Sequence, residues 1–358
     1  MSRGTRALIS RSALTHNLGR VRHYAPQANI WAVIKANAYG HGADVAAEAL
    51  SAADGFAVSS LDEAIALRDS GVSHPILLLS GVTQADHWAE AAALGLHCVV
   101  HSRTQVEQIR TQTLPSPLSV WLKIDSGMHR LGLTPENVPA AFSALSQVSN
   151  VSVIGALTHM ASADVPERDN ATRQQFEVFQ AASPATLQTS VGNSATILRH
   201  ADCVGDWVRP GIMLYGATPT TEASAADYGL QPVMAFEAPV IAVRDIAAGE
   251  SVGYGHRWQA SRPARIATLA AGYGDGYPRH APDGTPVWLG GQRVPIAGRV
   301  SMDLITVDVS LLSEEVKVGD MAQLWGPELP VDDVAEHIGT IGYELLTRLS
   351  LRVPKVFV

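Results

Sequence analysis

The sequence predicts an α/β fold, with an N-terminal (β/α)8 TIM-like barrel followed by a C-terminal all-β domain. Two observations support this prediction. Up to about residue 230, short apolar segments alternate with helical segments, which indicates parallel strands joined by helices. Beyond that point the chain is rich in Pro, Gly and β-branched residues. We therefore predict domains at residues 1–229 and 230–358, with an open doubly wound sheet as the alternative for the first.

Eight apolar segments are candidates for the barrel strands. Their lengths suit parallel strands that are buried on both faces. They are Ile30–Ile34, Gly55–Val58, Pro75–Leu79, Leu96–Val100, Ser119–Ile124, Val153–Leu157, Leu187–Val191 and Trp207–Leu214. Eight strands within this length of chain match the requirement of a (β/α)8 barrel.

Helical segments lie between most of these strands. They are Leu61 to Ser70, Gln84 to Leu94, Ser102 to Thr111, Thr134 to Val148, and Thr172 to Ala182. The fourth is the best defined, because Thr134 suits an N-cap and Pro135 suits the first turn. A further helix before the barrel is predicted to follow the cap residue Ser12. Only the short segment Ser194–His200 follows the seventh strand.

The C-terminal part contains short β segments separated by turn dipeptides such as Asp283-Gly284 and Gly290-Gly291. This pattern is typical of an all-β domain. The predicted strands are Pro239–Ile246, Arg265–Ala271, Pro286–Leu289, Arg293–Arg299, Ile305–Val309 and Met321–Trp325.

Composition excludes several classes of protein. The chain of 358 residues is 46% hydrophobic and 17% charged, so it can bury a large core. A net charge of −8 without a basic stripe argues against nucleic-acid binding. No apolar run is long enough to span a membrane, and the N-terminus lacks the apolar core of a signal peptide. We expect a cytoplasmic protein with Cys98 and Cys203 as free thiols; a disulfide between them is the alternative.

Lys35 directly follows the first predicted strand and precedes a polar, glycine-containing loop, Ala36–Gly42. A helical segment with Val45 and Leu50 on one face comes next. Burying an ammonium group is costly unless it is paired or neutral. Two interpretations remain open from this stretch alone. Lys35 is either a strand-end lysine that extends to solvent, or an amine that forms a Schiff base.

Further polar residues lie with Lys35 at the end where barrel enzymes place their sites. Arg130, His159 and Ser194 follow the fifth, sixth and seventh predicted strands, and Arg209 lies within the eighth segment. Each has a structural explanation: His159 as a hydrogen-bonded core residue, Arg130 as a surface residue, Ser194 as a helix cap. Five such residues at one barrel mouth favour a site. They supply what pyridoxal 5'-phosphate (PLP) needs: a lysine, a partner for the ring nitrogen and phosphate donors. No spacing typical of a metal site is present.

The sequence resembles the alanine racemases from about residue 7 to its end. The motifs that carry this resemblance are V-I-K-A-N-A-Y-G-H-G at 33–42, D-S-G-M-H-R-L-G at 125–132, N-S-A at 193–195, V-R-P-G-I-M-L-Y-G at 208–216, V-G-Y-G at 252–255, G-Y-G-D-G-Y-P-R at 272–279 and S-M-D at 301–303. The resemblance implies a PLP-binding barrel, a C-terminal β-domain and a head-to-tail homodimer whose active sites mix residues of both chains.

The resemblance also implies catalytic roles. Lys35 resembles the lysine that holds PLP and acts as the base for D-alanine. Tyr254 resembles the opposite base, which reaches in from the partner chain to take the proton of L-alanine. Arg209 resembles the arginine that faces the pyridine nitrogen, and His159 lies where the family links that arginine to the tyrosine. Arginine keeps its proton, so the ring would be a weak electron sink and side reactions would be suppressed.

Further positions resemble binding residues of the family. Phosphate contacts are implied for Tyr39, Ser194, Gly211, Ile212 and Tyr343. Arg130 and the backbone of Met302 match the site for the substrate carboxylate. Lys123 matches a lysine that is carbamylated in many members, where it helps to hold Arg130. The entry corridor is implied for Tyr273, Arg279, Arg299 and Asp164. Met160 departs from the aromatic residue more often found after the histidine.

Other functions remain open at this point. A PLP-dependent decarboxylase of a basic amino acid shares the architecture, but no cysteine follows Cys203 to act as its C-terminal nucleophile. A non-catalytic PLP carrier would account for the barrel alone, and a purely structural protein would leave the polar barrel mouth unexplained. The sequence does not distinguish supply of D-alanine for peptidoglycan from catabolism of alanine.

Overall fold

The computed structural model describes residues 3–358; residues 1 and 2, where the first predicted domain begins, lie outside the described residues. Strand β1 (Arg6–Ile9) comes first and lies outside the barrel. The next eight strands close a parallel barrel: β2 (Asn29–Val33), β3 (Gly55–Val58), β4 (Ile76–Leu78), β5 (His97–Val100), β6 (Leu118–Lys123), β7 (Val151–Leu157), β8 (Gln188–Ser190) and β9 (Trp207–Val208). Pairing of Asn29 with Trp207 completes the ring. The closed barrel is confirmed, and the open sheet is excluded.

Helices connect the strands as the alternating pattern predicts. They are α1 (Arg11–Tyr24), α2 (Lys35–Tyr39), α3 (Ala43–Ala49), α4 (Leu61–Asp69), α5 (His87–Ala93), α6 (Arg103–Thr111), α7 (Val138–Ser146), α8 (Asp169–Ala182) and α9 (Ser194–Arg199). Short 3-10 turns occur at Pro135–Asn137, Pro166–Arg168, Ala201–Cys203 and Ile212–Tyr215. All predicted helical segments are present, each shorter or longer by a few residues at its ends.

Two helix starts differ from the predictions. Helix α1 is capped by Ser10, whose Oγ accepts from Ala13 N at 3.2 Å, and not by Ser12. Asn193 caps α9, because its Oδ1 accepts from Thr196 N at 2.9 Å. Ser194 is therefore the first helical residue, which frees its hydroxyl for other partners.

The eighth barrel strand is much shorter than predicted. It ends at Val208, and the apolar residues Ile212–Tyr215 form a 3-10 turn instead. Pro210 has no N–H to give to a sheet, and Gly211 has a φ of −119° with a ψ of −93°, outside the strand region. The strand therefore stops where the chain turns across the barrel mouth.

The C-terminal part is mainly β. Its strands are β10 (Met234–Ile246), β11 (Ser251–Val252), β12 (Trp258–Gln259), β13 (Ala264–Leu269), β14 (Pro286–Leu289), β15 (Gln292–Pro295), β16 (Ile305–Asp308), β17 (Met321–Trp325) and β18 (Lys355–Phe357). Two short 3-10 turns, Tyr254–His256 and Tyr273–Asp275, lie between strands. The all-β prediction omits two helices, α10 (Val331–Ile338) and α11 (Gly342–Thr347). They pack against each other, and α11 also packs against α2.

Strand β1 belongs to the C-terminal sheet rather than to the barrel. It pairs with β10 in antiparallel register, Ala7 opposite Phe236, and with β18 in parallel register, Ala7 opposite Lys355. The sheet order is β15-β14-β17-β10-β1-β18; β13 also pairs with β10, and β16 pairs with β13. The chain thus enters through the second domain before it builds the first. The domain limits at residues 229 and 230 stay a prediction.

Tryptophans fill the barrel at the end where the strands begin. The rings of Trp31 and Trp207 stack at 4.4 Å, and Trp121 meets Trp31 edge-on at 6.2 Å. Gly55 and Gly155 leave room for these rings, since a Cβ at either glycine would lie 2.3 Å from one of them. This packing closes one end of the barrel and leaves the opposite end for a site.

Two further sequence expectations concern thiols and membranes. Cys98 and Cys203 are both free and buried, so the alternative of a disulfide between them is excluded. Within residues 3–358, no helix combines the length and apolar character needed to cross a bilayer.

Candidate active site

Lys35 begins a left-handed turn. Four consecutive non-glycine residues, Ala36 to Tyr39, have φ between 51° and 54°, and Gly40 follows with φ of 84°. L-amino acids avoid this region because Cβ crowds the next carbonyl oxygen, at a cost of about 1–2 kcal/mol per residue. Such a run persists only where its surroundings determine it, and it occurs preferentially at functional sites.

Glu63 and His41 hold this turn from two sides. Glu63 Oε1 accepts from Ala36 N at 2.6 Å, and its Oε2 accepts from Ser59 N at 2.7 Å. Nδ1 of buried His41 lies 2.9 Å from Ala38 O and 3.0 Å from Tyr39 O. Carbonyls only accept hydrogen bonds, so Nδ1 carries the proton. Burial lowers the pKa of His41 to about 4, which keeps the ring neutral.

The environment of Lys35 favours its neutral amine. Burial lowers its pKa, and the positive charge of Arg130 lowers it further. The carboxylate of Glu63 acts in the opposite direction. A neutral amine is the form that attacks carbonyl groups. The lowered pKa of Lys35 therefore shifts this lysine toward the neutral amine that Schiff-base formation requires.

Three tyrosines surround the far end of the turn. Tyr39 stacks on Tyr215 at 4.7 Å and lies 6.1 Å from Tyr343. Burial raises the pKa of Tyr39 to about 12 and also raises that of Tyr343. Both phenols therefore keep their protons at neutral pH and can donate hydrogen bonds to an anion. Tyr215 donates to Val33 O at 2.9 Å, which ties the stack to β2.

The chain after β9 offers a second set of donors. Ser194 Oγ accepts from Gly211 N at 3.0 Å and from Met213 N at 3.4 Å. A Cβ at Gly211 would lie 2.4 Å from the Tyr39 hydroxyl, so only glycine fits this approach. The buried Ile212 N–H has no hydrogen-bond partner among residues 3–358. Clustered N–H and O–H donors of this kind suit a phosphate group.

Arg209 is 5% exposed and lies at the centre of the mouth. Its Nη1 donates to Ser190 Oγ at 2.6 Å, and its Nη2 donates to the carbonyls of Thr158 and Val191. In the part of the chain that the structure describes, no carboxylate pairs with it and no group accepts from its Nε. Burial lowers the pKa of Arg209 to about 10, so the guanidinium stays protonated.

Lys123 and His159 complete a cationic cluster with Lys35, Arg130 and Arg209. Burial and, after it, the charges of Arg209, Arg130 and Lys35 together lower the pKa of Lys123 to about 8. Burial likewise lowers the pKa of His159 well below its usual value, with the same charged neighbours adding to the effect. The structure thus brings together basic residues from four barrel strands, as the strand-end pattern predicts.

The remaining residues implied by the resemblance lie apart from this cluster. Tyr254 is 69% exposed, on the turn between β11 and β12 of the β-domain. Met302 is 53% exposed and Tyr273 is 37% exposed, on neighbouring loops of the same domain. The exposed Arg279 and half-buried Arg299 also belong to this domain. No described hydrogen bond joins any of the five to the barrel mouth within one chain.

Asp164 lies on the segment between β7 and α8. It is exposed, yet its charge contributes to the raised pKa of Tyr343 on α11, after burial and the charge of Tyr39.

Across residues 3–358, no group of three His, Cys, Asp or Glu side chains could hold a metal ion.

Sequence reasoning missed Glu63 and His41 as residues that shape the site. The signal for Glu63 was present, since Ser60 and Glu63 have the spacing of a capping box. The structure forms that capping box at the start of α4. The same carboxylate also accepts a hydrogen bond from Ala36 N, and this contact depends on the fold. His41 lies within the motif at 33–42, but its contacts with Ala38 O and Tyr39 O follow only from the folded turn.

Comparisons with known proteins agree with this geometry. The chain matches the family model of the alanine racemase N-terminal domain over residues 9–219, and that of the C-terminal domain over residues 233–357. An alanine racemase from Shewanella sp. (strain MR-7) is 48% identical over 350 residues, which cover 97% of each chain.

Solved structures give the same result. The crystal structure of the biosynthetic alanine racemase from Pseudomonas aeruginosa has a TM-score of 0.95 and 46% identity, covering 99% of each chain. That of alanine racemase from E. faecalis has a TM-score of 0.90 and 35% identity, covering 100% of this chain and 99% of the other. The chain belongs to the alanine racemase family, and its activity is that of an alanine racemase.

Proposed function

We propose that the chain interconverts L-alanine and D-alanine with PLP bound at the barrel mouth, by a two-base mechanism. The observation that carries the proposal is Lys35, with its lowered pKa, facing a cluster that includes a buried Arg209 without a carboxylate partner. Lys35 would hold the PLP aldehyde carbon, and Arg209 would face the ring nitrogen. The phosphate would be bound by Tyr39, Ser194, Gly211, Ile212 and Tyr343.

The donor set fits this cofactor. The unpartnered amide of Ile212 and the protonated phenols of Tyr39 and Tyr343 suit a dianionic phosphate. When bound, PLP supplies an electron-withdrawing ring that makes the Cα proton of attached alanine acidic. Arg209 keeps its proton, so it would donate a hydrogen bond to the ring nitrogen without protonating it. The resulting limit on electron withdrawal favours return of the proton to Cα over side reactions.

Two bases on opposite faces of the substrate carry out the proton exchange. Lys35 would remove the α-proton of D-alanine and return it when L-alanine is consumed. Tyr254 of the partner subunit would do the same on the other face. The lowered pKa of Lys35 suits a base that works near neutral pH. His159 and the charge of Arg209 behind it would stabilise the tyrosinate.

Binding of the substrate carboxylate is assigned to Arg130 and to the backbone of Met302 from the partner. Lys123 has a pKa of about 8, so part of it is neutral and able to add carbon dioxide. A carbamate there would give Arg130 a negative partner within the cationic cluster. The entry corridor would be lined by Tyr273, Arg279, Arg299 and Asp164, in keeping with their exposure in a single chain.

The exposure of Tyr254 and Met302 supports a head-to-tail homodimer, in which the tyrosine of one chain would complete the barrel mouth of the other. We place the enzyme in the cytoplasm, where its D-alanine would supply peptidoglycan synthesis or where it would serve alanine catabolism. Neither nucleic acid nor membrane enters this proposal.

Chiral analysis of alanine tests the proposal. The PLP-loaded protein should convert either pure enantiomer to an equal mixture, because enantiomers have the same free energy. Borohydride should fix the cofactor onto Lys35, as peptide mass analysis would show. Tyr254→Phe should slow removal of the α-proton from L-alanine while leaving cofactor capture intact. Release of carbon dioxide from a basic amino acid, without racemisation, would instead identify a decarboxylase.

A further inference from the structure

A buried carboxylate organises the two loops that carry Tyr273 and Met302. Asp275 follows Tyr273 in a 3-10 turn and is fully buried. Its Oδ1 accepts from Arg3 Nη1 at 2.8 Å, while Oδ2 accepts from Arg3 Nη2 at 3.0 Å and from Gly272 N at 2.9 Å. The bidentate arginine compensates the buried charge, which would otherwise be strongly unfavourable.

A second arginine joins the network from the segment before β18. Arg352 Nη2 donates to Asp303 Oδ1 at 2.6 Å, and Arg352 Nε lies 3.7 Å from Asp275 Oδ1. Gly274 leaves room for this guanidinium, because a Cβ there would lie 2.3 Å from Arg352 Nη1. Arg3 also contacts the loop that carries Met302, because its Nη2 donates to Asp303 O at 3.1 Å. Both arginines therefore contact both loops.

The two loops are also joined directly through their backbones. Tyr273 N donates to Ser301 O at 3.0 Å, and Gly274 N donates to Met302 O at 2.8 Å. Gly272 lies so close that a Cβ would be 2.4 Å from Met302 O. The side chains of Tyr273 and Met302 nevertheless face outward. A rigid base thus presents two exposed residues to a neighbouring surface.

We propose that Arg3 and Arg352 are positioning residues for the partner's active site, acting through Asp275 and Asp303 on Tyr273 and the Met302 backbone. The inference rests on the proposed function, in which Met302 helps to bind the substrate carboxylate across the dimer. Neither arginine touches the substrate. Their effect is to fix where the Met302 amide and the Tyr273 ring lie relative to the opposite barrel.

Conservative variants of the loaded enzyme test this inference. Arg352→Lys and Arg3→Lys keep the charge but lose the two-pronged geometry. The KM for both alanine enantiomers should rise about tenfold, the effect of weakening a hydrogen bond to a charged group, with a smaller change in kcat. Amide exchange of residues 272–277 and 301–303 should accelerate. Arg6→Lys is the matched control, because Arg6 pairs with Glu237 at 3.0 Å and touches neither loop. Faster exchange with an unchanged KM would overturn the proposal.

Mixed dimers with two affinity tags separate this inference from the shared active site. In one arrangement, Lys35→Ala and Arg352→Lys are in the same chain, opposite a wild-type chain. The one competent barrel then faces altered loops, and its KM should be raised. In the other arrangement the changes are in different chains, and the KM should be that of the wild type. A raised KM only in the second arrangement would refute the shared site itself. An equal KM in the two arrangements would refute the proposed role of Arg352 but not the shared site.

Discussion

At the scale of single residues, the barrel mouth contains a cluster of basic side chains whose positive charges lower one another's pKa. Lys123 shows this most clearly, with a pKa of about 8 caused by burial and by Arg209, Arg130 and Lys35. Only Asp125 among its described neighbours acts in the opposite direction. The charged form of Lys123 is therefore less favourable in the folded barrel than in the unfolded chain, which lowers the stability of the fold at neutral pH.

Replacement of Lys123 by methionine should stabilise the unloaded protein at pH 7 in bicarbonate-free buffer. The folded state binds the Lys123 proton less tightly than the unfolded state does. The charged lysine therefore destabilises the folded state, and this penalty is fully present below about pH 8. The penalty disappears as the pH rises toward 10.5. We expect the unfolding free energy of Lys123→Met to exceed that of the wild type by about 1–3 kcal/mol at pH 7, and the gap to narrow between pH 8 and 10.5.

Urea unfolding at several pH values would measure this difference. Lys317→Met is the control, since Lys317 is exposed and should show no such trend. A Lys123→Met protein that is less stable than the wild type at pH 7, by an amount that does not change with pH, would contradict the argument.

At the scale of elements, the left-handed turn from Ala36 to Tyr39 is the feature that places Lys35. Its four residues adopt a conformation that costs about 1–2 kcal/mol each, and hydrogen bonds from Glu63 and His41 offset part of that cost. The turn aims the side chains of Lys35 and Tyr39 toward the mouth while the backbone reverses into α3. Regular helix geometry at this point would direct them elsewhere.

Glycine at position 36 should stabilise the protein, although glycine normally weakens helices. Ala36 is exposed and has φ of 51°, so Ala36→Gly removes a Cβ that packs against little. The substitution relieves the left-handed strain, but glycine also adds entropy to the unfolded chain. The net effect should be a rise of about 0.5–1 kcal/mol in the free energy of unfolding.

Ala66→Gly provides the opposite case. Ala66 is exposed in the middle of α4, where the same substitution should cost about 1 kcal/mol. The difference in sign between the two variants, measured by urea unfolding, is the diagnostic result. Equal destabilisation by both would show that residue 36 is not held in the left-handed region.

Sequence patterns predicted the repeated strands of the barrel and the polar residues at their ends. Eight apolar segments indicated the barrel because each parallel strand is buried on both faces, and polar strand ends indicated the cluster because all such strands end at the same mouth. The left-handed turn was not predictable, since Ala36 and Ala38 have no intrinsic preference for it. One of the residues that hold it, Glu63, comes from another element.

Long-range pairing was equally hidden. The four residues of β1 contain no signal that they will join strands more than 200 positions away, because register follows from three-dimensional packing. The truncated strand β9 is a milder case. Pro210 and Gly211 were visible as strand breakers, but the apolar run around them obscured their effect.

At the scale of the whole molecule, each chain separates the two proposed bases. Lys35 lies at the mouth of the barrel, whereas Tyr254 is exposed on the β-domain without a described contact to that mouth. A catalytic pair divided in this way can act only when a second chain supplies the missing half. On this proposal assembly would be a condition for activity, because a two-fold dimer would present each tyrosine to the opposite lysine.

Two inactive variants should therefore restore activity when mixed. Lys35→Ala removes one base from every site of its dimer, and Tyr254→Phe removes the other. After subunit exchange, a mixed dimer contains one barrel with Lys35 opposite a chain with Tyr254. Random pairing makes half of the dimers mixed, each with one complete site of two, so activity should reach about a quarter of the wild-type value. Lys35→Ala mixed with Arg130→Ala is the control. Both residues belong to the barrel part of the same site, so no mixed dimer of that pair contains a complete site, and recovery there would contradict the division of the active site between chains.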